Sequence, residues 1–459
     1  MNINRKTIAI CVLTFSLLLT SCGPGQLFGV TVTPTLTITS TPTFTPTATA
    51  TQVPTQTSTP TLTPTPTQIG GGSGKIIFEL RKDFMSETEK ETITEAFPDL
   101  EGNQNVFTAN IDGMNMVPIT NGIEGYNYIQ DISPDGTKLL ISSSKGEFGN
   151  LYSIDLNSLE SEPLKLAKNL PRYSWQGKAA EWIDNTRLVF VGEGDIGFGV
   201  YSVNSDGTDQ RSIYKYNGGG DVNKPVEILA ITDTRVYWAS QVRTSLGGNS
   251  WNTKSYSWWS SMDGSGKEAL ELNGEQIIFD SYFFPPAFSP DGKWLAWMEP
   301  ATQTFHYNRL HITSLPDMKR DRYVDMLTSG TTRRWWPDSS KIQIFDLRSI
   351  DFSHSYEMNT ADDKFGLYSI SLSSLSIKNE HRADVLDMLV PPASLDSEKY
   401  CSSAIGDFSP DGRQILIFSS KPNTECASKI IYILDLETMT FSELPLGFRT
   451  YRDRGYWLP

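Results

Sequence analysis

The sequence predicts an all-β fold, a seven-bladed β-propeller standing behind a disordered Thr/Pro stalk. Three observations predict it. A strand–turn–strand phrase recurs along most of the chain, its period is near 50 residues, and the two ends of the repeated region complement each other.

The phrase is clearest at Ala287-Phe288-Ser289-Pro290-Asp291-Gly292-Lys293-Trp294-Leu295-Ala296-Trp297, and returns at Ser133-Pro134-Asp135-Gly136 and Ser409-Pro410-Asp411-Gly412. Proline presets φ at the first turn position, aspartate hydrogen-bonds the local backbone, and glycine takes the left-handed position that other residues avoid. Strong β-formers on both sides make each phrase a hairpin. Weaker copies run through Asp184-Asn185-Thr186, Thr232-Asp233-Thr234 and Pro337-Asp338-Ser339. Asn and Asp are the next-best left-handed residues, so Asn185 and Asp233 are expected in the glycine role; Ser339 fits it poorly. The glycine-equivalent positions 136, 185, 233, 292, 339 and 412 are spaced by 49, 48, 59, 47 and 73 residues.

Taken in order, the chain of 459 residues opens with Arg5 and Lys6 ahead of an apolar run from Ile8 to Leu19. This has the form of a secretory signal, too short for an ordinary membrane span. It ends in Leu19-Thr20-Ser21-Cys22, which resembles the bacterial lipobox; residues 1–21 would be removed and Cys22 diacylated. Residues 31 to 67 carry Thr at every odd position except Val53, with seven prolines that forbid a central strand. Residues 22–74 therefore read as an extended, semi-rigid spacer ending in a Gly-rich joint, with a reach on the order of 100 Å at about 3.1 Å per residue. The expected location is the cell envelope, outside the cytoplasm, with the membrane touched through the lipid anchor alone.

The head spans residues 75–459 and holds all eleven tryptophans. Third strands are expected at Asn150–Asp155, Gly199–Val203, Gly366–Ile370 and Ile430–Asp435, and Asp-Gly turns at residues 112–113, 206–207 and 263–264. Lys75–Leu80 matches a second strand with no first strand before it, whereas Arg454–Pro459 matches a first strand that stops at its turn proline. The C-terminal strand is thus expected to close the first blade and protect the sheet edges. Two insertions interrupt the pattern: Asp83 to Asn105, with Ser86 and Glu89 spaced as a capping box, and Gln241 to Ser257.

These repeats resemble the WD40-like β-propeller repeat, also called PD40, of TolB and its relatives, most clearly over 128–156, 284–297 and 403–436. The resemblance implies the fold and says little about function, since function resides in sites carried by the fold. TolB's N-terminal partner-binding domain has no counterpart here; the stalk takes its place. No Gly-x-Ser-x-Gly elbow leads into a hydrolase sheet.

No catalytic residue, metal ligand or cofactor is assigned from sequence. Cys401 and Cys426 flank one hairpin and are expected to form a disulfide in an exported protein. The four histidines, His306, His311, His354 and His381, read as scattered surface residues. The residues preceding the large apolar position of each first strand are Asp131, Glu181, Leu229, Ala287, Arg334, Asp407 and Tyr456. First strands of a propeller line its axis, so three carboxylates and an arginine are expected there, either as internal ion pairs or as a site for a cation or charged chain terminus. Arg333, Arg334, Arg449, Arg452 and Arg454 are expected to open onto one face, against acidic loops or for an anionic partner. Trp251 is a candidate stacking residue for sugars or partner surfaces; Trp258 and Trp259 are expected to pack between blades. A net charge of −14 argues against nucleic acid. The functional expectation is a binding and scaffolding module for a protein, peptide or envelope glycan on one face, more in keeping with the sequence than an enzyme; the alternative is a polysaccharide-active lyase or hydrolase on the same ring.

Overall fold

The computed structural model describes residues 74–145, 148–171, 178–218, 220–247, 250–279, 286–299, 308–326, 332–346, 366–372, 387–389, 403–419, 428–438, 440–446, 450–451 and 455–459. The signal, Cys22, the stalk, Cys401, Cys426, His306, His354, His381, Arg449, Arg452 and Arg454 lie outside the described residues, as do the side chains of Arg333 and Trp251. Among the described residues the fold is all-β with one α-helix, and no helix is long and apolar enough to cross a membrane.

The strands run as successive antiparallel units. Lys75–Arg81 pairs with Gln104–Asn110, which pairs with Val117–Pro118. Next come Tyr126–Ile132, Lys138–Ser144, Phe148–Asp155 and Leu164–Pro171, then Ala180–Trp182, Arg187–Gly194, Gly197–Asn204 and Arg211–Lys215. Pro225–Ile231, Arg235–Gly247, Ser250–Ser261 and Lys267–Ala269 follow, and after them Ala287–Phe288, Trp294–Glu299, Asn308–Ser314 and Asp321–Met326. The last units are Thr332–Trp335, Lys341–Asp346, Gly366–Ser371 and Asp387–Leu389, then Ser403–Phe408, Gln414–Ser419, Ser428–Asp435 and Thr440–Glu443. Finally Gly455–Trp457 pairs antiparallel with Lys75–Arg81, Ile76 facing Trp457 and Phe78 facing Gly455.

The strong hairpin turns share one hydrogen-bond scheme, which explains why serine precedes Pro-Asp-Gly. The hydroxyls of Ser133, Ser289 and Ser409 donate to Asp135, Asp291 and Asp411 at 2.6–2.7 Å. The same hydroxyls accept the backbone N–H of Lys138, Trp294 and Gln414 at 2.8–2.9 Å, fixing the start of the second strand. Gly136, Gly292 and Gly412 take φ of 69°, 66° and 71°. The weaker copies differ from expectation. Asn185 and Asp233 do not enter the left-handed region, because their turns are one residue shorter and close through Asp184 and Thr232. Ser339, the poor fit, does enter it, at φ 60°. Its hydroxyl accepts the backbone N–H of Asp291 in the preceding unit at 3.0 Å. Asn185 Oδ1 accepts the N–H of Asp135 in the same way.

Neighbouring units pack face to face through interleaved strand side chains. Ile129, Leu139, Ile141 and Ile154 close over Ile77 and Val106 with Leu458. On the other side of the first unit, Ile76, Phe78 and Phe107 pack against Leu416, Phe418, Ile431, Ile433 and Trp457. Strands buried on both faces read as near-continuous apolar runs. The first insertion supplies the helix Glu87–Ala96, whose capping box forms as the sequence predicts: Ser86 Oγ accepts Glu89 N–H at 3.3 Å, and Glu89 accepts Ser86 N–H at 2.8 Å. Ile93 plugs it into the core beside Phe107. The second insertion is an extension of one hairpin, Arg235–Gly247 with Ser250–Ser261.

Candidate functional site

The first strands sit side by side and are tied to one another by their own polar groups. Trp182 N–H donates to Asp131 Oδ2 at 2.9 Å, Trp335 Nε1 to Ala287 O at 2.8 Å, and Trp457 Nε1 to Asp407 O at 3.2 Å. Arg334 Nε donates to Gly406 O at 3.1 Å. Each of these bonds runs from one unit to the next, so the residues at the aligned position are held close to one another.

Lys178, which the sequence reading did not single out, is the hub of the charges gathered here. Its backbone is pinned by a bridge to Ile228, whose N–H donates to Lys178 O at 2.6 Å. Its Nζ donates to Asp131 Oδ1 at 2.9 Å. Burial works against the Lys178 ammonium, but the Asp131 and Glu181 carboxylates outweigh it and raise its proton affinity well above that of a free lysine. Glu181 is pushed the other way from an ordinary carboxylate. Burial raises it, the Asp131 charge adds to the rise, and Lys178 only partly offsets them. Its Oε2 is buried and has no hydrogen-bond partner among the described residues. Burial also pushes the Asp407 carboxyl up to about 6, against the pull of Arg334 and, more weakly, of Lys178. Asp407 Oδ1 accepts the Phe408 N–H at 3.0 Å.

Asp131, Glu181 and Asp407 thus share one electrostatic neighbourhood, as their aligned positions predict, with Lys178 among them and Arg334 beside Asp407. Arg334 therefore faces a carboxylate and a carbonyl of the next unit. Of the arginines expected on one face, it is the one whose side chain is described. Among the described residues the arrangement holds two cations against three carboxylates, one of which, Glu181, has an oxygen without a hydrogen-bond partner. It is suited to receiving a donor such as an ammonium group, and no three His, Cys, Asp or Glu among the described residues come together to hold a metal ion.

Other expectations need correction or gain content. His311 is not a surface residue: it is 8% exposed within Asn308–Ser314, its ring stacked on Trp297 at 4.3 Å. Its Nδ1 lies 2.9 Å from Asp321 and its Nε2 3.4 Å from Glu299. Asp321 also accepts from Thr313 Oγ1, which accepts from Trp297 Nε1, so the histidine closes a buried polar network. Trp258 and Trp259 pack between units as expected, Trp258 against the cluster that joins Val191 and Val200 to Val236 and Trp238, and Trp259 against the cluster that joins Tyr237 to Leu295 and Trp297.

No protein-family model and no curated protein sequence matches the chain. Its neighbours among solved structures are TolB and related β-propeller proteins, at low identity. TolB from Acinetobacter baumannii is 12% identical, with 84% of this chain and 67% of that one covered at a TM-score of 0.42. An oligogalacturonate lyase from Vibrio parahaemolyticus is 17% identical, covering 73% and 85% at 0.44. The β-propeller domain of the trilobed protease from Pyrococcus furiosus is 12% identical, covering 74% and 86% at 0.40.

Proposed function

We propose that this chain is a lipid-anchored, extracytoplasmic β-propeller of seven blades, closed by its C-terminal strand, that binds and scaffolds a protein, peptide or envelope-glycan partner on one face. Closure is supported by the pairing of Gly455–Trp457 with Lys75–Arg81, which supplies a first strand to the one unit that lacks it. The Leu-Thr-Ser-Cys22 ending and the Thr/Pro spacer support an anchor and a head held away from the membrane. A Cys401–Cys426 bridge belongs to this reading and would contribute about 3 kcal/mol.

The observation that carries the binding role is the group Asp131, Lys178, Glu181, Arg334 and Asp407. A buried carboxylate oxygen without a donor costs free energy unless a ligand or a water molecule satisfies it, and among the described residues Glu181 Oε2 has no donor. In this reading an amine-bearing group of the partner enters the channel and donates to Glu181, while the arginine-rich rim and Trp251 contact the rest of it. Thermal melting of the purified full chain against amine-terminated peptides and against acidic and neutral oligosaccharides tests the role, since a ligand that binds only the folded state raises the melting point. The expected result is stabilisation by an amine-bearing ligand that is lost in Glu181→Gln. Turnover of an oligosaccharide would instead favour the polysaccharide-active alternative, and silence across ligands with the variant melting like the parent would overturn the channel as the binding site.

A further inference from the structure

The two carboxylates beside Lys178 occupy the same place in successive units but are not compensated alike. Asp131 and Glu181 each stand opposite the third residue of the following strand, Leu140 of Lys138–Ser144 and Val189 of Arg187–Gly194. Both oxygens of Asp131 receive a donor, Oδ1 from Lys178 Nζ and Oδ2 from the Trp182 N–H, each at 2.9 Å. Glu181 Oε2 is buried and receives none among the described residues. The strand of the next unit, Pro225–Ile231, directs its Ile228 N–H to Lys178 O at 2.6 Å instead. The group is open to a ligand, since 36% of the Lys178 side chain is exposed.

A buried carboxylate keeps its charge where donors or a cation compensate it. Here one ammonium serves two acids, and Asp131 takes its hydrogen bond. Burial therefore opposes ionisation of Glu181, the Asp131 charge opposes it further, and Lys178 offsets them only in part. A water molecule at Oε2 would lend a donor but would leave the Asp131 charge in place. The other titratable groups brought up by the neighbouring strands are Glu227 on Pro225–Ile231, Tyr456 on Gly455–Trp457, Asp407 on Ser403–Phe408 and Arg334 on Thr332–Trp335. Arg334, the second cation, is engaged by Asp407 and by Gly406 O. Two acids in such surroundings divide into one ionised and one neutral member.

On the premise that this channel is the binding site, we propose that Glu181 is a neutral carboxylic acid in the ligand-free channel and that an ammonium group binds by exchange for its proton. The O–H bond of Glu181 breaks, the proton leaves to water, and the carboxylate so formed accepts an N–H of the ligand. The ligand cation then gives Glu181 the compensation that Lys178 gives Asp131. Binding is thereby tied to acidity with a definite sign. Below the pH at which Glu181 ionises, the proton competes with the ligand and affinity falls about tenfold with each unit; above it, affinity is level. The channel takes up its ligand in neutral surroundings and releases it in acid ones.

The test uses the purified full chain and N-acetyl-lysine amide, whose ammonium stays charged up to about pH 9. Calorimetric titration at pH 6 in buffers of different ionisation enthalpy counts protons, and release of about one per probe bound is expected, with affinity rising about tenfold from pH 5 to 6. Infrared spectra of the probe-bound minus the free chain should show the loss of a protonated-carboxyl band. Carbon-13 labelling of the glutamate carboxyls should move that band, which separates Glu181 from Asp131 and Asp407. The band should also be missing from ligand-free Glu181→Gln; should that variant fail to fold, the labelled parent decides. Probe binding without proton release, or with a lost band that the glutamate label leaves in place, overturns the exchange and keeps the channel as a binding site. No binding of the probe, whatever the spectrum of the free chain, overturns both.

Discussion

At the scale of single residues, the charged group on the first strands sets a pH dependence with a definite sign. Asp407 is raised from its ordinary 3.8 to about 6, mainly by burial. An acid whose folded-state pKa exceeds its unfolded one favours folding in its protonated form. That contribution is complete below about pH 4 and is lost as the pH rises through 6. Asp407→Asn keeps the group neutral throughout, so its stability relative to the parent should grow between pH 4 and 7 by up to about 3 kcal/mol. Urea midpoints across that range check it; a difference that stays constant with pH would show that Arg334 holds Asp407 ionised at ordinary acidity. The carboxylates were legible in the sequence because the repeat aligns them. Lys178 was not, since it precedes the short strand Ala180–Trp182 and reaches its partners through an irregular bridge rather than a repeat position. His311 escaped for another reason: Leu310, His311, Ile312 and Thr313 are all buried. On a strand covered on both faces, alternation says nothing about exposure.

At the scale of elements, the turns do more than reverse the chain. Asn185 and Ser339 stand where glycine is usual in the repeat, and the side-chain oxygen of each accepts a backbone N–H from the turn before it, of Asp135 and of Asp291. The glycine-bearing turns make the same approach without a hydrogen bond. A Cβ on Gly292 would lie 2.8 Å from Thr232 Cγ2, and one on Gly136 would lie 3.0 Å from Pro459 Cδ. Two of the departures from Pro-Asp-Gly that weaken the repeat as a sequence signal, Asn185 and Ser339, are therefore places where the preceding turn is latched. Ser339→Ala keeps the left-handed strain and leaves the Asp291 N–H without its acceptor, which should destabilise the protein by about 1 kcal/mol. Ser339→Gly loses the same bond but relieves a left-handed penalty of about 1 kcal/mol, so it should stay close to the parent. Equilibrium unfolding of the pair separates the bond from the strain; equal losses in both would assign the whole effect to the bond. The helix Glu87–Ala96, by contrast, was fully legible, because a capping box is local chemistry that no neighbour needs to supply.

At the scale of the whole molecule, the chain's final residues hold its first sheet in place from two sides. Trp457 enters the core shared with Phe418 and Ile431, and Leu458 enters the core shared with Ile129 and Ile141. Gly455 makes room for this fit, since a Cβ there would meet Phe418 Cζ at 2.6 Å. Sequence could anticipate the pairing because the two half-units read as complementary words, but not its packing, in which Leu458 meets Ile129 and Ile141 from more than 300 positions earlier while Trp457 meets Phe418 and Ile431 of the unit just before it. Removing residues 450–459 takes away the partner of the Ile76–Phe78 backbone together with both apolar plugs. Strand Lys75–Arg81 then becomes an exposed edge whose apolar side chains are open to pairing with another copy. The burial of Trp457 and Leu458 alone is worth about 1.5–3 kcal/mol for each side chain, a large fraction of the stability of any domain. The truncated chain should melt well below the parent and elute as oligomers on sizing. A monomeric truncation that melts with the parent would mean that the first sheet is stable without its C-terminal strand.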